Sequence, residues 1–277
     1  MNIAIVFGNK RNNSNGYIQN ILNTLISRGI NVFADECYTF ELKDTNVNFV
    51  NYEELYQLGD IILAVGGDGT IIHVAKEASQ RDKPVMGINS GRLGFLASME
   101  QNQPDMLLNL INGEYEISKR MMLELDIDGK KILALNDISI NRALDSPIVD
   151  YSVRNSNFNI FKYRSDGIIV ATPTGSTAYA LSAGGPVIDS SLECIEITPI
   201  CAHCVSPKSI VLSAKDDIFV NYSLKENSEI FVLVDGNICA KKDLSGCLSL
   251  KKSKRYANFV VLKNRNFYEN INKLINN

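Results

Sequence analysis

Residues 60–75 read DIILAVGGDGTIIHVA. An unbroken apolar run, Ile61 to Val65, stops at two glycines; an aspartate and a third glycine follow, and helical spacing begins at Thr70. A short run without polar alternation predicts a strand buried on both faces, the kind parallel sheets use. Glycines let backbone N–H groups approach a phosphate with no Cβ in the way. The helix start adds a positive partial charge. Gly66, Gly67, Gly69 and Thr70 are therefore candidate phosphate-binding residues. Asp68 fits a plain phosphate cradle poorly, because its charge opposes the ligand's. Proton acceptance or an approach to Mg²⁺ would use it. A tight turn with Asp68 as a helix cap is the non-catalytic alternative. The other common phosphate loop, G-x-x-x-x-G-K-[ST], is absent, since Gly129-Lys130 is followed by Lys131.

Outward from this stretch, strand and helix patterns alternate. NIAIVF (2–7) predicts a strand, and Ser14 opens a helix with Ile18, Ile21, Leu22, Leu25 and Ile26 in register, ended by Gly29. Strands are expected at 30–34 and 84–88, and helices at 52–58 and 70–80. Such alternation implies a parallel sheet covered on both faces. After about residue 116 the period changes: Leu123, Leu125 and Ile127 alternate with Glu124, Asp126 and Asp128, and Asp128-Gly129 is a hairpin turn signal. Strands are expected at 131–142, 148–154, 158–164, 167–172, 193–200, 217–222, 230–235, 247–252 and 256–262, an antiparallel sandwich-like domain. One short helix interrupts it near Ser176. The expected domains are 1–118 and 119–262, with a helix in 263–277 packing back on the first.

Composition narrows the function classes. Hydrophobic residues make up 45% and charged residues 21%, enough for real cores. A net charge of −3 argues against a broad basic face for nucleic acid. No apolar run is long enough to cross a membrane, and MNIAIVFGNK lacks a basic leader, so the cytoplasm is the expected location. Cys201 and Cys204 form a C-x-x-C, but a second close pair for a zinc site is missing, so reduced thiols are expected.

Three further stretches carry chemistry. GINSGRLGFLAS (87–98) is a second glycine-rich segment after a strand. LNDISINR (135–142) sets Asn136 beside Asp137; strand neighbours point to opposite faces, so both reach one ligand only at a strand end or bulge. Asn suits a nucleobase edge and a carboxylate suits ribose hydroxyls, with an Asx turn as the alternative. YRSDGIIVATPTGSTAYALSAGGPVI (163–188) places Arg164 and Asp166 two apart, hence on one strand face. A helix start dense in Thr174, Ser176 and Thr177 follows, then small residues around Tyr179, whose ring suits stacking on a base.

Taken together, the GGDGT loop (66–70), the GRLGF segment (91–95), the Asn136-Asp137 pair and the block from Asp166 to Pro186 resemble the NAD kinase family across nearly the whole chain. GGDGT alone is less specific, since lipid kinases and phosphofructokinases carry similar loops. The resemblance implies a Rossmann-like α/β N-terminal domain, an all-β sandwich-like C-terminal domain, and a site drawing on both. It implies an enzyme that transfers the γ-phosphoryl group of ATP to the 2′-hydroxyl of the adenosine ribose of NAD. Mg²⁺ or another divalent cation would accompany ATP, and the assembly would be a homo-oligomer, dimer or tetramer. Asp68 would be the base, and the dinucleotide would meet Asp68, Gly69, His73, Asn136, Asp137, Arg164, Asp166, Thr177, Ala178, Tyr179, Ser182 and Asn237. Two departures stand out: Asp137 where the family has Glu, and Asn237 where Gln is common. A lipid or sugar kinase, or a non-catalytic NAD sensor, are the competing readings.

Overall fold

The computed structural model of the chain describes residues 1–8, 15–39, 42, 45–89, 94–100, 103, 106–203, 208–262 and 272. These form two compact units, one of Met1–Lys119 with the residues from Tyr256 on, the other of Arg120–Arg255.

The first unit runs β1 (Asn2–Phe7), α1 (Asn15–Ile26), β2 (Asn31–Asp35), β3 (Asn48–Val50), α2 (Tyr52–Leu58), β4 (Ile61–Gly66), α3 (Asp68–Ser79), β5 (Pro84–Asn89), β6 (Ala97–Glu100) and α4 (Met106–Ile111). Its strands lie in the order β3-β2-β1-β4-β5, every pair parallel. Strand alternation sorts the side chains. Ile3, Ile5, Phe7, Ile61, Leu63 and Val65 share one core with Ile18, Ile21, Leu22 and Leu25 of α1 and Leu107 and Leu110 of α4. Each such side chain contributes about 1.5–3 kcal/mol by leaving water. The intervening residues face α2 and α3. A Cβ on Gly59, just after α2, would lie 2.9 Å from both the Ala4 Cβ and the Ile62 Cδ1. Asn51 and Glu54 close a capping box at the start of α2. From β1 the order grows outward to β2 and β3 on one side, and from β4 to β5 on the other. The crevice beyond the carboxyl ends of β1 and β4 is where such sheets receive ligands. The glycine loop leaves β4 there, and the Gly8 N–H at the end of β1 donates to the Val65 carbonyl at 2.8 Å.

The second unit contains β8 (Lys130–Ala134), β9 (Asp137–Arg142), β10 (Val149–Arg154), β11 (Asn159–Ser165), β12 (Gly167–Ala171), α5 (Tyr179–Ser182), β13 (Cys194–Ile200), β14 (Ile210–Ser213), β15 (Ile218–Ser223), β16 (Ile230–Val234) and β17 (Asn237–Lys242). It also holds most of β7 (Tyr115–Ile127) and the first part of β18 (Gly246–Leu262). One antiparallel sheet has the order β14-β13-β12-β9-β16-β17. In the other, β11-β10-β15-β18 are antiparallel, with β7 beside β18 and β8. The two layers meet where the Tyr151 hydroxyl donates to the Ile140 carbonyl at 3.3 Å. β12 is buried on both faces, because Ile169 and Ala171 pack against Ala180 of α5 while Ile168 and Val170 turn the other way.

The expected 131–142 strand is two strands, parted by a bend at Leu135 and Asn136. The expected strands 247–252 and 256–262 are one, β18, and β14 and β17 were not anticipated. The expected helix in 263–277 lies outside the described residues. No described helix is long and apolar enough to cross a membrane.

Candidate functional site

In the first unit the site is built on the β4–α3 turn. Gly67 is the N-cap of α3, with φ −84° and ψ 178°, so Asp68 occupies the first helical turn. The Thr70 and Ile71 amides both donate to the Gly67 carbonyl, at 3.0 and 3.2 Å, which closes the first turn, and the positive end of the helix dipole lies at this turn. The three glycines divide by their surroundings. A Cβ on Gly66 would fall 2.5 Å from Thr70 Oγ1, so Gly66 serves the packing of Thr70. Around Gly67 and Gly69 nothing lies within 4 Å, so the protein's own packing does not require a missing Cβ there.

The Asp68 carboxylate reaches the second glycine-rich stretch. Oδ2 accepts from the Phe95 N–H at 3.1 Å and Oδ1 from the Leu96 N–H at 3.4 Å. A Cβ on Gly94 would lie 2.2 Å from Asp68 Oδ1, so only glycine admits the carboxylate. Two of the sequence signals thus converge on one side chain. That segment continues into strand β6, and Gly91, Arg92 and Leu93 lie outside the described residues. His73 is exposed on α3, with Nε2 3.1 Å from the Tyr52 hydroxyl, which is itself 2.9 Å from the hydroxyl of buried Tyr56.

In the second unit, Asn136 and Asp137 stand where the bend gives way to β9, the strand end that lets neighbours serve one ligand. The Asn136 backbone is gripped from both sides. Its N–H donates to Asp235 Oδ1 at 2.8 Å, and its carbonyl accepts from the Thr172 N–H at 2.8 Å. A Cβ on Gly175 would sit 2.1 Å from that carbonyl, which explains the glycine of the TPTG run. The side-chain Oδ1 of Asn136 is buried with no protein partner. Asp137 is 4% exposed. Burial first, then the charges of Asp235 and Glu196, push its carboxyl up to about 7. Glu196 occupies the same row of the sheet, since both residues pair with Ala171 across β12. It is fully buried; burial raises its carboxyl, against a 2.8 Å hydrogen bond from the Thr198 hydroxyl.

The TGSTAY run forms a 3₁₀ turn, Gly175–Thr177, followed by α5. Thr177 Oγ1 donates to the Thr174 carbonyl at 3.3 Å. Ala178 separates the two turns, and Tyr179 is 42% exposed. Burial, then the nearby Asp137 and Cys201, push the Tyr179 phenol up. Tyr179 therefore belongs to the surroundings of Asp137. Ser182 closes α5. Asn237 is exposed at the start of β17, its amide donating to the Asp235 carbonyl at 3.2 Å.

Arg164 and Asp166 do not share a strand face. The chain changes sheets between them: Arg164 lies in β11 of one layer, and β12 of the other begins at Gly167. Asp166 binds Arg142 Nε at 2.6 Å, whereas Arg164 Nε lies 3.9 Å from Asp150. Strand alternation cannot be carried across such a corner. Among the described residues no group of three or more His, Cys, Asp and Glu side chains is placed to hold a metal. Cys37, Cys194, Cys201, Cys239 and Cys247 are thiols, and Cys204 lies outside the described residues.

Sequence reasoning missed Asp235, Glu196, Arg142 and Tyr52. Asp235 carried a readable signal, because Asp235-Gly236 is a hairpin turn whose φ values are 49° and 77°. Its partner strand was not readable. Glu196 is one acid in an apolar strand and carried none.

Comparison with known proteins accords with this architecture. Residues 4–115 match the family model described as the ATP-NAD kinase N-terminal domain, and residues 135–262 match the ATP-NAD kinase C-terminal domain. A relative from Thermoanaerobacter sp. (strain X514), named NAD kinase, is 38% identical over 244 residues, covering 84% of this chain and 86% of its own. The crystal structure of an NAD kinase from Archaeoglobus fulgidus in complex with ATP is 29% identical with a TM-score of 0.77, covering 99% of this chain and 98% of that one. Yeast NADH kinase complexed with NADH has a TM-score of 0.88 at 22% identity, covering 100% and 87%, and speaks for the fold alone. With both family domains matched in order and a relative this similar over most of its length, the chain belongs to the ATP-NAD kinase family.

Proposed function

We propose that this chain transfers the γ-phosphoryl group of ATP to the 2′-hydroxyl of the adenosine ribose of NAD, yielding NADP. The observation that carries this reading is Asp68: a carboxylate in the first turn of a helix, inside a glycine-rich loop, fixed by two backbone amides. A ribose hydroxyl is a poor nucleophile at neutral pH. Transfer needs the hydroxyl in line with the γ-phosphorus, charge neutralisation, and an acceptor for the proton. Asp68 takes that proton in this reading. The two amides orient its oxygens, and the second lone pair of each remains available. Gly66, Gly67, Gly69 and Thr70 form the phosphate-facing turn. A divalent cation bound with ATP would supply neutralisation of the charge that develops in transfer, and Asp68 is the loop's own carboxylate that could face it.

The dinucleotide is held by the second unit's residues. The buried Asn136 Oδ1 accepts from a nucleobase amine or a ribose hydroxyl, which answers its lack of a protein partner. Asp137 accepts from ribose hydroxyls. Thr177, Ala178, Tyr179 and Ser182 line the adenine side, Arg164, Asp166 and Asn237 contribute polar contacts, and Gly69 and His73 are the first unit's candidate contacts. The enzyme works in the cytoplasm as a homo-oligomer, a dimer or a tetramer.

A steady-state assay with NAD and Mg-ATP, reading NADP by a coupled dehydrogenase, tests the reading. NADP formation supports it. Nucleotide binding without turnover would point instead to an NAD sensor, and phosphorylation of a lipid or sugar alone to another kinase class.

A further inference from the structure

The bend at Leu135 and Asn136 is what lets Asn136 and Asp137 serve one ligand, and a single carboxylate outside the strand organises it. Asp235 Oδ2 accepts from the Leu135 N–H at 3.2 Å, and Oδ1 accepts from the Asn136 N–H at 2.8 Å and the Asp137 N–H at 3.3 Å. Three consecutive amides cannot converge on one group in a regular strand, where successive N–H groups point to opposite sides. The Asp235 N–H in turn donates to the Asp137 carbonyl at 2.9 Å. Asp235 itself is held at φ 49°, a left-handed conformation that the Asp-Gly turn between β16 and β17 supplies. We propose that Asp235 is the positioning residue of the dinucleotide site: its carboxylate imposes the bend that presents Asn136 and Asp137 together. The proposal rests on the reading that these two residues contact NAD.

The bend has an energetic reason to need this support. A backbone that leaves the ladder orphans its N–H groups, each costing about 1–3 kcal/mol when buried and unpaired. A charged acceptor offsets that cost more strongly than a neutral one. Asp235 also acts electrostatically. Asp137 is faced by Asp235 from the β16–β17 turn, Glu196 from β13 and Tyr179 from α5. Removing the charge at 235 therefore makes ionised Asp137 easier to form.

The test compares Asp235→Ala and Asp235→Asn with wild type in steady state, varying NAD and ATP separately. Asp235→Ala should raise the KM for NAD at least ~10-fold, with the KM for ATP within about two-fold and kcat falling less than the KM rises. Asp235→Asn keeps an acceptor oxygen and should recover part of the NAD affinity. Its acid limb of kcat/KM for NAD should move to lower pH, because the Asp235 share of the repulsion on Asp137 is gone while that of Glu196 remains. A merely structural role would lower folded enzyme and kcat together while leaving both KM values and the pH limb in place, and that result would overturn the proposal. Should the alanine variant not fold, the asparagine variant decides alone, through its NAD KM and its pH limb. A wild-type chain that makes no NADP would sink the kinase reading; an active wild type whose Asp235 variants keep its NAD KM sinks only the positioning role.

Discussion

Asp68 and Asp137 are both carboxylates, and their surroundings give them different work. Asp68 is held by amides at a helix start, so Asp68→Asn should keep the fold and the nucleotide affinities while turnover drops at least ~10²-fold, the low end for a lost general base. Near-normal turnover would remove Asp68 from the role of base. Asp137 is buried without a cation, and its carboxyl is pushed up to about 7. The folded chain therefore holds this proton more tightly than the unfolded chain does. The group's contribution to stability is fully present below the ordinary carboxyl value near 4 and is lost as pH rises through about 7. Nucleotide-free Asp137→Asn should accordingly be more stable than wild type at pH 8, by on the order of 2–4 kcal/mol of unfolding free energy, and melt higher, with the gap closing at pH 5. Thermal melts at the two pH values check this; a variant less stable at pH 8 would contradict the burden assigned to the carboxylate. Asp68 was legible because the glycines that give it meaning are its sequence neighbours. The turn at Asp235 was legible too, but its hold on the bend was not, because the Asn136 amide it accepts from is 99 positions away. A contact that distant leaves no periodicity behind.

Elements show the same division between local pattern and distant partner. The β4 run and the Asp128-Gly129 hairpin are set by adjacent residues, and their reading held, whereas α3 begins at Asp68, two residues before the expected Thr70. The 131–142 run kept its apolar character through Leu135, so it hid the bend, which Asp235 and Thr172 impose from elsewhere. The same limit merged Arg164 and Asp166 onto one face, since nothing local marks the change of sheet. The glycine loop offers a sharp experiment at this scale. Gly67→Ala and Gly69→Ala meet open space, and Gly69 lies in a helix, where alanine is better by about 0.5–1 kcal/mol. Gly69→Ala should melt at or above wild type and Gly67→Ala, at the N-cap, up to about 1 kcal/mol below it, yet both should lose activity if the proposed phosphate-facing role holds. Gly66→Ala should instead lose about 1–3 kcal/mol of stability through its clash with Thr70. Activity surviving intact in the Gly67 and Gly69 variants would separate the loop from phosphate binding. On α5, Tyr179→Ala should raise the KM for NAD more than it lowers kcat, as when ground-state and transition-state binding are lost alike; an unchanged KM would remove Tyr179 from the pocket.

For the whole molecule, the class of each unit was readable from period alone, 3.6 and unbroken apolar runs first, alternation afterwards, because burial on one or two faces dictates those periods. Subunit number has no such trace. Light scattering on the purified chain should give a multiple of 30.7 kDa, and a stable monomer at working concentration would contradict the proposed oligomer. The last strand carries a consequence for biosynthesis. In the first unit, Pro84 and Val85 of β5 pair with Asn258 and Phe259, and the buried Ser98 hydroxyl donates to the Val260 carbonyl across 162 positions. The ribosome delivers that strand only after the entire second unit has been made. Until then β6 covers Gly87 to Asn89 on that flank of β5 while the Pro84–Val85 end stays unpaired, a short edge of the kind that invites aberrant pairing, so a truncated chain ending at residue 255 should be cleaved by protease faster than the full chain.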